Sequence, residues 1–298
     1  MSARTDGVRR WREVSLGLAW ISPWLVGFGV FLLVPVLLSV YYSLTDYALL
    51  DVPVWIGWEN YRELLSDALF WKTLRNTMVY AVLSVIGSSV LSVGLAAMLE
   101  RPMRGAGLAR AIIFLPTLVP VVANCVTWLW LFNPQYGLFN SAMGAAGVQG
   151  PNWLGDTRWA LPSMVFMGLW VIGSPLLVCG AALKDVPESL YEAASLDGMG
   201  AWCRFTHVTL PMISPAVLFN AVMSIIWSLQ VLAPPMIMTR GGPDGATLTY
   251  SMYVYKTAFE FGRMGYASAL AWVQVLLTLT LAAGALWIGR KGVFYRAG

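Results

Sequence analysis

Long apolar runs alternate with short polar stretches from one end of the chain to the other. The runs cover about 17–43, 77–99, 111–132, 159–182, 213–236 and 266–289, and none contains Asp, Glu, Lys or Arg. Each offers the roughly 20 residues that a helix needs to cross the hydrocarbon core of a bilayer. The pattern predicts an all-α, polytopic membrane protein with six transmembrane helices. Arg9, Arg10 and Arg12 precede the first run, as they would in a signal peptide. The run is too long for one, and no small-residue cleavage site with a polar mature region follows it. Residues 17–43 are therefore expected to be a retained first anchor helix.

Six crossings put both termini on one side. With both inside, the inner segments are 1–16, 100–110, 183–212 and 290–298. They hold Arg4, Arg9, Arg10, Arg12, Arg101, Arg104, Arg110, Lys184, Arg204, Arg290, Lys291 and Arg296, which is twelve of the nineteen Lys and Arg. Cytoplasmic segments carry such an excess, so cytoplasmic N- and C-termini are expected. The domain reading is a cytoplasmic N-terminus 1–16, the anchor 17–43, a transmembrane core 72–289 with an inner loop at 184–211, and a cytoplasmic tail 290–298.

Composition agrees. The chain is 58% hydrophobic and 11% charged, where soluble domains carry about 25% charged residues. A soluble enzyme, a nucleic-acid-binding protein and a disordered scaffold are excluded. The net charge of +4 concerns orientation in the bilayer. Cys125, Cys179 and Cys203 have no metal-ligand spacing and read as small buried hydrophobes.

Polar positions near the runs refine the picture. Ser84, Ser88 and Ser92 form a ridge at i, i+4, i+8, which reads as a helix-packing face. Residues 57–75 read as one or two short amphipathic helices, with Tyr61, Leu64, Leu65 and Leu69 near helical spacing and Asp67 as a cap. Trp55, Trp58 and Trp71 suit a membrane–water interface.

The inner loop KDVPESLYEAASLDGMGAWCRFTHVTLP at 184–211 is long for a connector. Pro187 and Glu188 suit the first turn of a helix, and Gly198 is placed to end it. Ala201, Phe205 and Val208 mark a second short helix. A helix–turn–helix projecting from the membrane is expected, either as a plain connector or as a surface for a partner's cleft.

The string Glu192-Ala193-Ala194, Asp197-Gly198, Phe205, Leu210-Pro211 resembles the EAA loop of binding-protein-dependent ABC importer permeases. That family's pattern is roughly EAAxxDGA, a spacer, an apolar residue and LP. Met199 stands where Ala is usual, and Val208 where Ile is usual. SLTDY at 43–47, GWENYRELLSD at 57–67 and GGPDGATLTYSMYVYKTAFEFGRMGYASAL at 241–270 look like outer loops of the sugar-type importers. The resemblance thus covers nearly the whole chain and points to the maltose or glycerol-3-phosphate type permeases of the first kind. RKGVFYRAG lacks the C-terminal tail of the second kind.

The resemblance implies a type I ABC importer transmembrane domain in a bacterial or archaeal cytoplasmic (inner) membrane. Such a permease subunit is not itself an enzyme. It pairs with a second permease in a heterodimer and receives substrate from an extracytoplasmic binding protein. Two ATPase subunits dock at the loop, through Glu192, Ala193, Ala194, Asp197, Gly198, Leu210 and Pro211 here. The chain binds no cofactor, ATP and Mg residing on the ATPase, and no nucleic acid; its other partner is the lipid bilayer. No GxxxxGK[ST] motif occurs, in keeping with a separate ATPase.

Polar groups inside membrane spans are costly and often mark a substrate path. Trp170, Gly173 and Ser174 on the fourth run, and Ser224, Trp227, Ser228 and Gln230 on the fifth, lie at matching depth. The alternative for each serine is a bond to its own helix backbone. Where the family often has amides, this chain has Ser228 and Val231. Asn124 and Thr127 are weaker candidates, and His207 reads as a solvated loop residue. Gly241-Gly242-Pro243 reads as a tight turn, or as part of an outer gate or a dock for the binding protein. The function expected is import of a mono-, di- or oligosaccharide by alternating access. Import of glycerol-3-phosphate or another polyol derivative is the alternative. A secondary transporter would need ionisable groups in the runs or unwound ion-binding helices.

Overall fold

The computed structural model describes residues 3–100 and 105–292; Arg101, Arg104 and 293–298 of the expected tail lie outside the described residues. The chain divides into two compact units. One comprises the residues up to Leu65 with 257–272, and the other comprises 66–256 with the residues from 273 on.

In the first unit, α1 (Ala3–Phe28) passes through a π turn, Gly29–Leu33, into α2 (Val34–Ser43). Pro35 explains the turn. It has no N–H, and its ring would clash with the carbonyl four residues back. Widening the preceding turn lets the Val34 N–H bond to the Gly29 carbonyl instead. Ser15–Ser43 forms a 29-residue apolar stretch long enough to cross a membrane. Trp20 and Phe31 on it are almost fully exposed, as suits a lipid-facing helix. Strands β1 (Thr45–Asp46) and β2 (Val54–Trp55) pair antiparallel, and α3 (Glu59–Ser66) follows. Asn60 donates to the carbonyls of Ser43 and Thr45, both at 2.9 Å. Arg263 grips Glu63 with two bonds of 2.7 and 2.6 Å. Of the expected amphipathic face only Leu64 is buried; Leu65 and Leu69 are exposed, as are Trp55, Trp58 and Trp71.

The second unit is built on α4 (Ala68–Leu99), whose N-terminus Asp67 caps by accepting from the Leu69 N–H at 2.8 Å. After it come α5 (Ala106–Phe114), a 3-10 turn at Leu115–Leu118, α6 (Val121–Leu131), α7 (Leu138–Ala145), α8 (Ala160–Leu169) and α9 (Gly173–Lys184). The inner loop holds α10 (Glu188–Leu196), α11 (Ala201–Arg204), a π turn at Phe205–Thr209 and α12 (Leu210–Met212). The chain then runs through α13 (Ser214–Leu229), α14 (Ala233–Met238), α15 (Tyr250–Tyr255) and the last helix, α16 (Met264–Gly292).

The six apolar runs fold as helices, four of them as single helices and two as bent pairs. Four are long and apolar enough to cross alone: Ser15–Ser43, Ala68–Leu99, Ser214–Met238 and Met264–Arg290. The run 111–132 is a pair of helices bent by 103°, and 159–182 is a pair bent by 47°; six crossings result if each pair is one span. Prolines explain both bends. Pro120 forces Val119 into an extended conformation, with φ −76° and ψ 127°. Pro175 cannot donate to the Val171 carbonyl, so the chain unwinds between Leu169 and Gly173. The run 213–236 is also interrupted, at 230–232, just before Pro234 and Pro235.

Helix α4 packs against α8, α9, α13 and α15 and joins two apolar clusters. Near its start, Tyr80 meets Cys125, Trp128, Phe132, Met164 and Met238. Near its end, Val93, Ala96 and Leu99 meet Leu176, Cys179, Val186 and Ile213. The stretch of α4 between them carries the small residues.

Candidate functional site

The inner loop folds as two short helices around one sharp turn. Pro187 precedes α10 in an extended conformation, and Glu188 opens its first turn. Gly198 adopts φ +73°, a left-handed conformation that side chains other than glycine rarely take. Its N–H donates to the Ser195 carbonyl at 3.1 Å, and the Met199 N–H donates to the Ala194 carbonyl at 2.9 Å. These two bonds make a Schellman end, which satisfies carbonyls that every helix C-terminus leaves open.

The second helix packs back on the first. The Tyr191 and Thr209 hydroxyls share a hydrogen bond of 3.1 Å, and Arg204 donates to Ser195 Oγ at 2.9 Å. As at Pro35, the π turn at Phe205–Thr209 comes just before a proline, Pro211, and the Leu210 N–H reaches the Phe205 carbonyl. Ala194 is buried, whereas Glu192, Ala193, Asp197 and Gly198 are exposed. Leu196 is 90% and Trp202 76% exposed. His207 is exposed.

The second candidate is a cavity of about 620 Å³ inside the second unit, walled by α4, the 3-10 turn, the α8–α9 bend and α13. Ligand pockets span roughly 300–1,000 Å³. Ser174, Ser224, Trp227 and Ser228 line it, and none of its lining residues is charged. Three expected residues fall elsewhere. Trp170 sits edge-on to Trp128, with ring centroids 6.2 Å apart. Gly173 is buried where a Cβ would collide with Thr117. Gln230 stands in the interruption after α13. Asn124 is buried, and Thr127 bonds back to the Ala123 carbonyl at 2.9 Å.

The cavity also takes groups that sequence reasoning assigned to packing or passed over. Tyr80, Ser84 and Ser88 form its α4 wall, while Ser92 of the same ridge is buried beside Cys179. Thr117 comes from the 3-10 turn. Asn220 lines the cavity and donates to the Pro175 carbonyl at 3.0 Å, tying α13 to α9. Thr117 Oγ1 is a buried atom with no hydrogen-bond partner within the described residues, and Ser84 Oγ is buried beside the Tyr80 hydroxyl; both residues line the cavity. An amide inside an apolar run was the one signal that could have found Asn220.

The loop after α14 is bonded closely to the first turns of α4. Asn76 donates to the carbonyls of Gly245 and Leu248 at 2.8 and 3.0 Å, and Thr77 Oγ1 accepts from the Tyr250 N–H at 2.8 Å. Lys72 donates to the Asp244 carbonyl at 2.5 Å, and Tyr253 OH donates to Asp67. Burial pushes the Tyr250 phenol above its ordinary pKa, with Tyr253 adding to the effect, so it is neutral at physiological pH. No group of three or more His, Cys, Asp or Glu that would hold a metal occurs among the described residues.

Comparison with known proteins gives a family and a shared fold. The family model described as binding-protein-dependent transport system inner membrane component matches residues 89–291. The chain is 31% identical over 280 residues to the sulfoquinovosyl glycerol transport system permease protein SmoG of Agrobacterium fabrum, covering 92% of this chain and 91% of that protein. It is 31% identical over 283 residues to the trehalose/maltose transport system permease protein MalF of Thermococcus litoralis, covering 94% and 96%. A solved bacterial ABC transporter involved in the import of the acidic polysaccharide alginate shares the fold. Its TM-score is 0.82 at 22% identity, covering 95% of this chain and 99% of that one.

Proposed function

The chain belongs to the binding-protein-dependent transport system inner membrane components, a family of multi-pass membrane proteins, and from that membership we propose the following role. It is the permease subunit of an ATP-driven importer and carries a neutral carbohydrate across the cytoplasmic membrane of a bacterium or archaeon. The uncharged cavity is the observation that carries the substrate class. Its serine, threonine and asparagine groups match sugar hydroxyls, and Trp227 and Tyr80 supply flat faces for a sugar ring. A glycerol phosphate would want a cation there, and the lining has none. The relative named for trehalose/maltose supports a neutral glycoside.

In this reading both termini are cytoplasmic, and the loop 184–211 meets one of two ATPase subunits. Glu192, Ala193, Asp197 and Gly198 face the ATPase, with Leu196 and Trp202 as apolar anchors. Ala194 packs inward, and Leu210-Pro211 sets the return to the membrane. A second permease completes the pathway, and an extracytoplasmic binding protein delivers the sugar. Nucleotide at the ATPases biases the loop, and through it the cavity, between inward- and outward-open states.

Reconstitution in liposomes tests this. The chain, its partner permease, ATPase and sugar-loaded binding protein are expected to accumulate labelled saccharide only with internal ATP. Accumulation driven by an ion gradient alone would make the protein a secondary transporter.

A further inference from the structure

The cavity helix α13 ends abruptly inside an apolar run, and polar side chains from elsewhere meet the break. Pro234 and Pro235 have no N–H to give to the carbonyls of Gln230 and Val231, so helical bonding cannot carry across 230–232. Backbone carbonyls left open in an apolar setting need other donors. The structure supplies three, two at the Leu229 carbonyl that ends α13 and one at Val231. Gln274 Nε2, on α16, donates to the Leu229 carbonyl at 2.8 Å and to Ser251 Oγ at 2.7 Å. Ser251 Oγ donates to the same Leu229 carbonyl at 3.3 Å. Thr249 Oγ1 donates to the Val231 carbonyl at 2.9 Å.

The elements that meet there have different attachments. Gln274 is the sole amide of the run 266–289. Thr249 and Ser251 flank Tyr250, whose N–H is held by Thr77 of α4. Trp227 and Ser228, in the last turn of α13 before the break, line the cavity. Leu229 and Thr249 are almost completely buried, and Val231, Ser251 and Gln274 are half-buried.

We propose that Gln274, with Ser251 and Thr249, is a positioning element for transport. It holds the interrupted segment 229–232 and so fixes how Trp227 and Ser228 present themselves to the sugar, linking the cavity to α16 and to the loop after α14. This rests on the transport reading above. None of the three touches the sugar; each acts through the carbonyls that end α13.

Gln274→Met keeps length and packing but removes both amide bonds. One hydrogen bond inside a membrane changes an equilibrium by about threefold, so losing two predicts about a tenfold fall in sugar transported per ATP hydrolysed. Thr249→Val, which removes one bond at the same break, predicts about threefold. Both are read on assembled complex purified at matched amounts. A residue needed only for folding lowers the yield of complex and leaves this ratio alone. A wild-type ratio in assembled Gln274→Met complex overturns the proposal. Should that variant fail to assemble, a wild-type ratio in Thr249→Val overturns it equally. Absence of ATP-driven saccharide uptake by the wild-type complex would instead sink the transport reading.

Discussion

Replacing Gly198 tests whether the turn of the inner loop, rather than its surface chemistry, sets docking of the ATPase. Gly198 has φ +73°, and nothing lies within 4 Å of where its Cβ would be. A substitution therefore adds backbone strain without a clash. Placing alanine in this conformation costs about 1–2 kcal/mol. If the turn relaxes to escape that cost, the two bonds that end α10 are lost and α11 swings away. At 1.4 kcal/mol per factor of ten, docking should weaken roughly 5- to 30-fold for Gly198→Ala. Asparagine tolerates the left-handed region and a β-branched residue does not, so the order of damage is Asn, then Ala, then Val. The assay is equilibrium binding of the purified ATPase to the permease pair in nanodiscs. Equal damage from Asn and Val, or wild-type binding by all three, would show that the turn does not set the docking geometry.

Two smaller experiments follow. Tyr191→Phe removes the hydrogen bond to Thr209 that joins the loop's two helices, which should weaken ATPase binding by about 0.5–1.5 kcal/mol; unchanged binding would make the contact incidental. Cys203 is partly exposed while Cys125 and Cys179 are buried, so a membrane-impermeant maleimide should modify Cys203 alone, in inside-out vesicles and not in intact cells. Labelling of Cys203 in intact cells would reverse the orientation proposed here.

Some features were readable locally. The turn at Gly198 follows from a glycine after an apolar face, and the Asp67 cap from an acidic residue at a helix start. Both depend only on neighbours in the chain. The bends at Val119–Pro120 and Trp170–Ile172 had their prolines in plain view, but averaging hydropathy over twenty residues hides a break that costs no apolar character. The cavity was half readable. Ser224, Trp227 and Ser228 came from depth and helical spacing. The Ser84–Ser88–Ser92 ridge fits close packing and a polar wall equally well, and only tertiary contacts separate Ser92 from the other two. Trp170 does not line the cavity, because the 47° bend breaks the register that a straight helix would have kept. Gln274 escaped notice because its partner is a backbone carbonyl forty-five residues earlier, at the end of a helix on another span.

The central claim is that a neutral sugar crosses through the uncharged cavity beside α4. Ser84→Leu fills that cavity from the α4 side with an apolar group and leaves the inner loop untouched. The most direct measurement is labelled saccharide taken up per ATP hydrolysed by reconstituted complexes carrying wild-type chain or Ser84→Leu. The account predicts a complex that assembles and hydrolyses ATP while moving little or no sugar. A wild-type ratio of sugar to ATP would mean that the sugar takes another path.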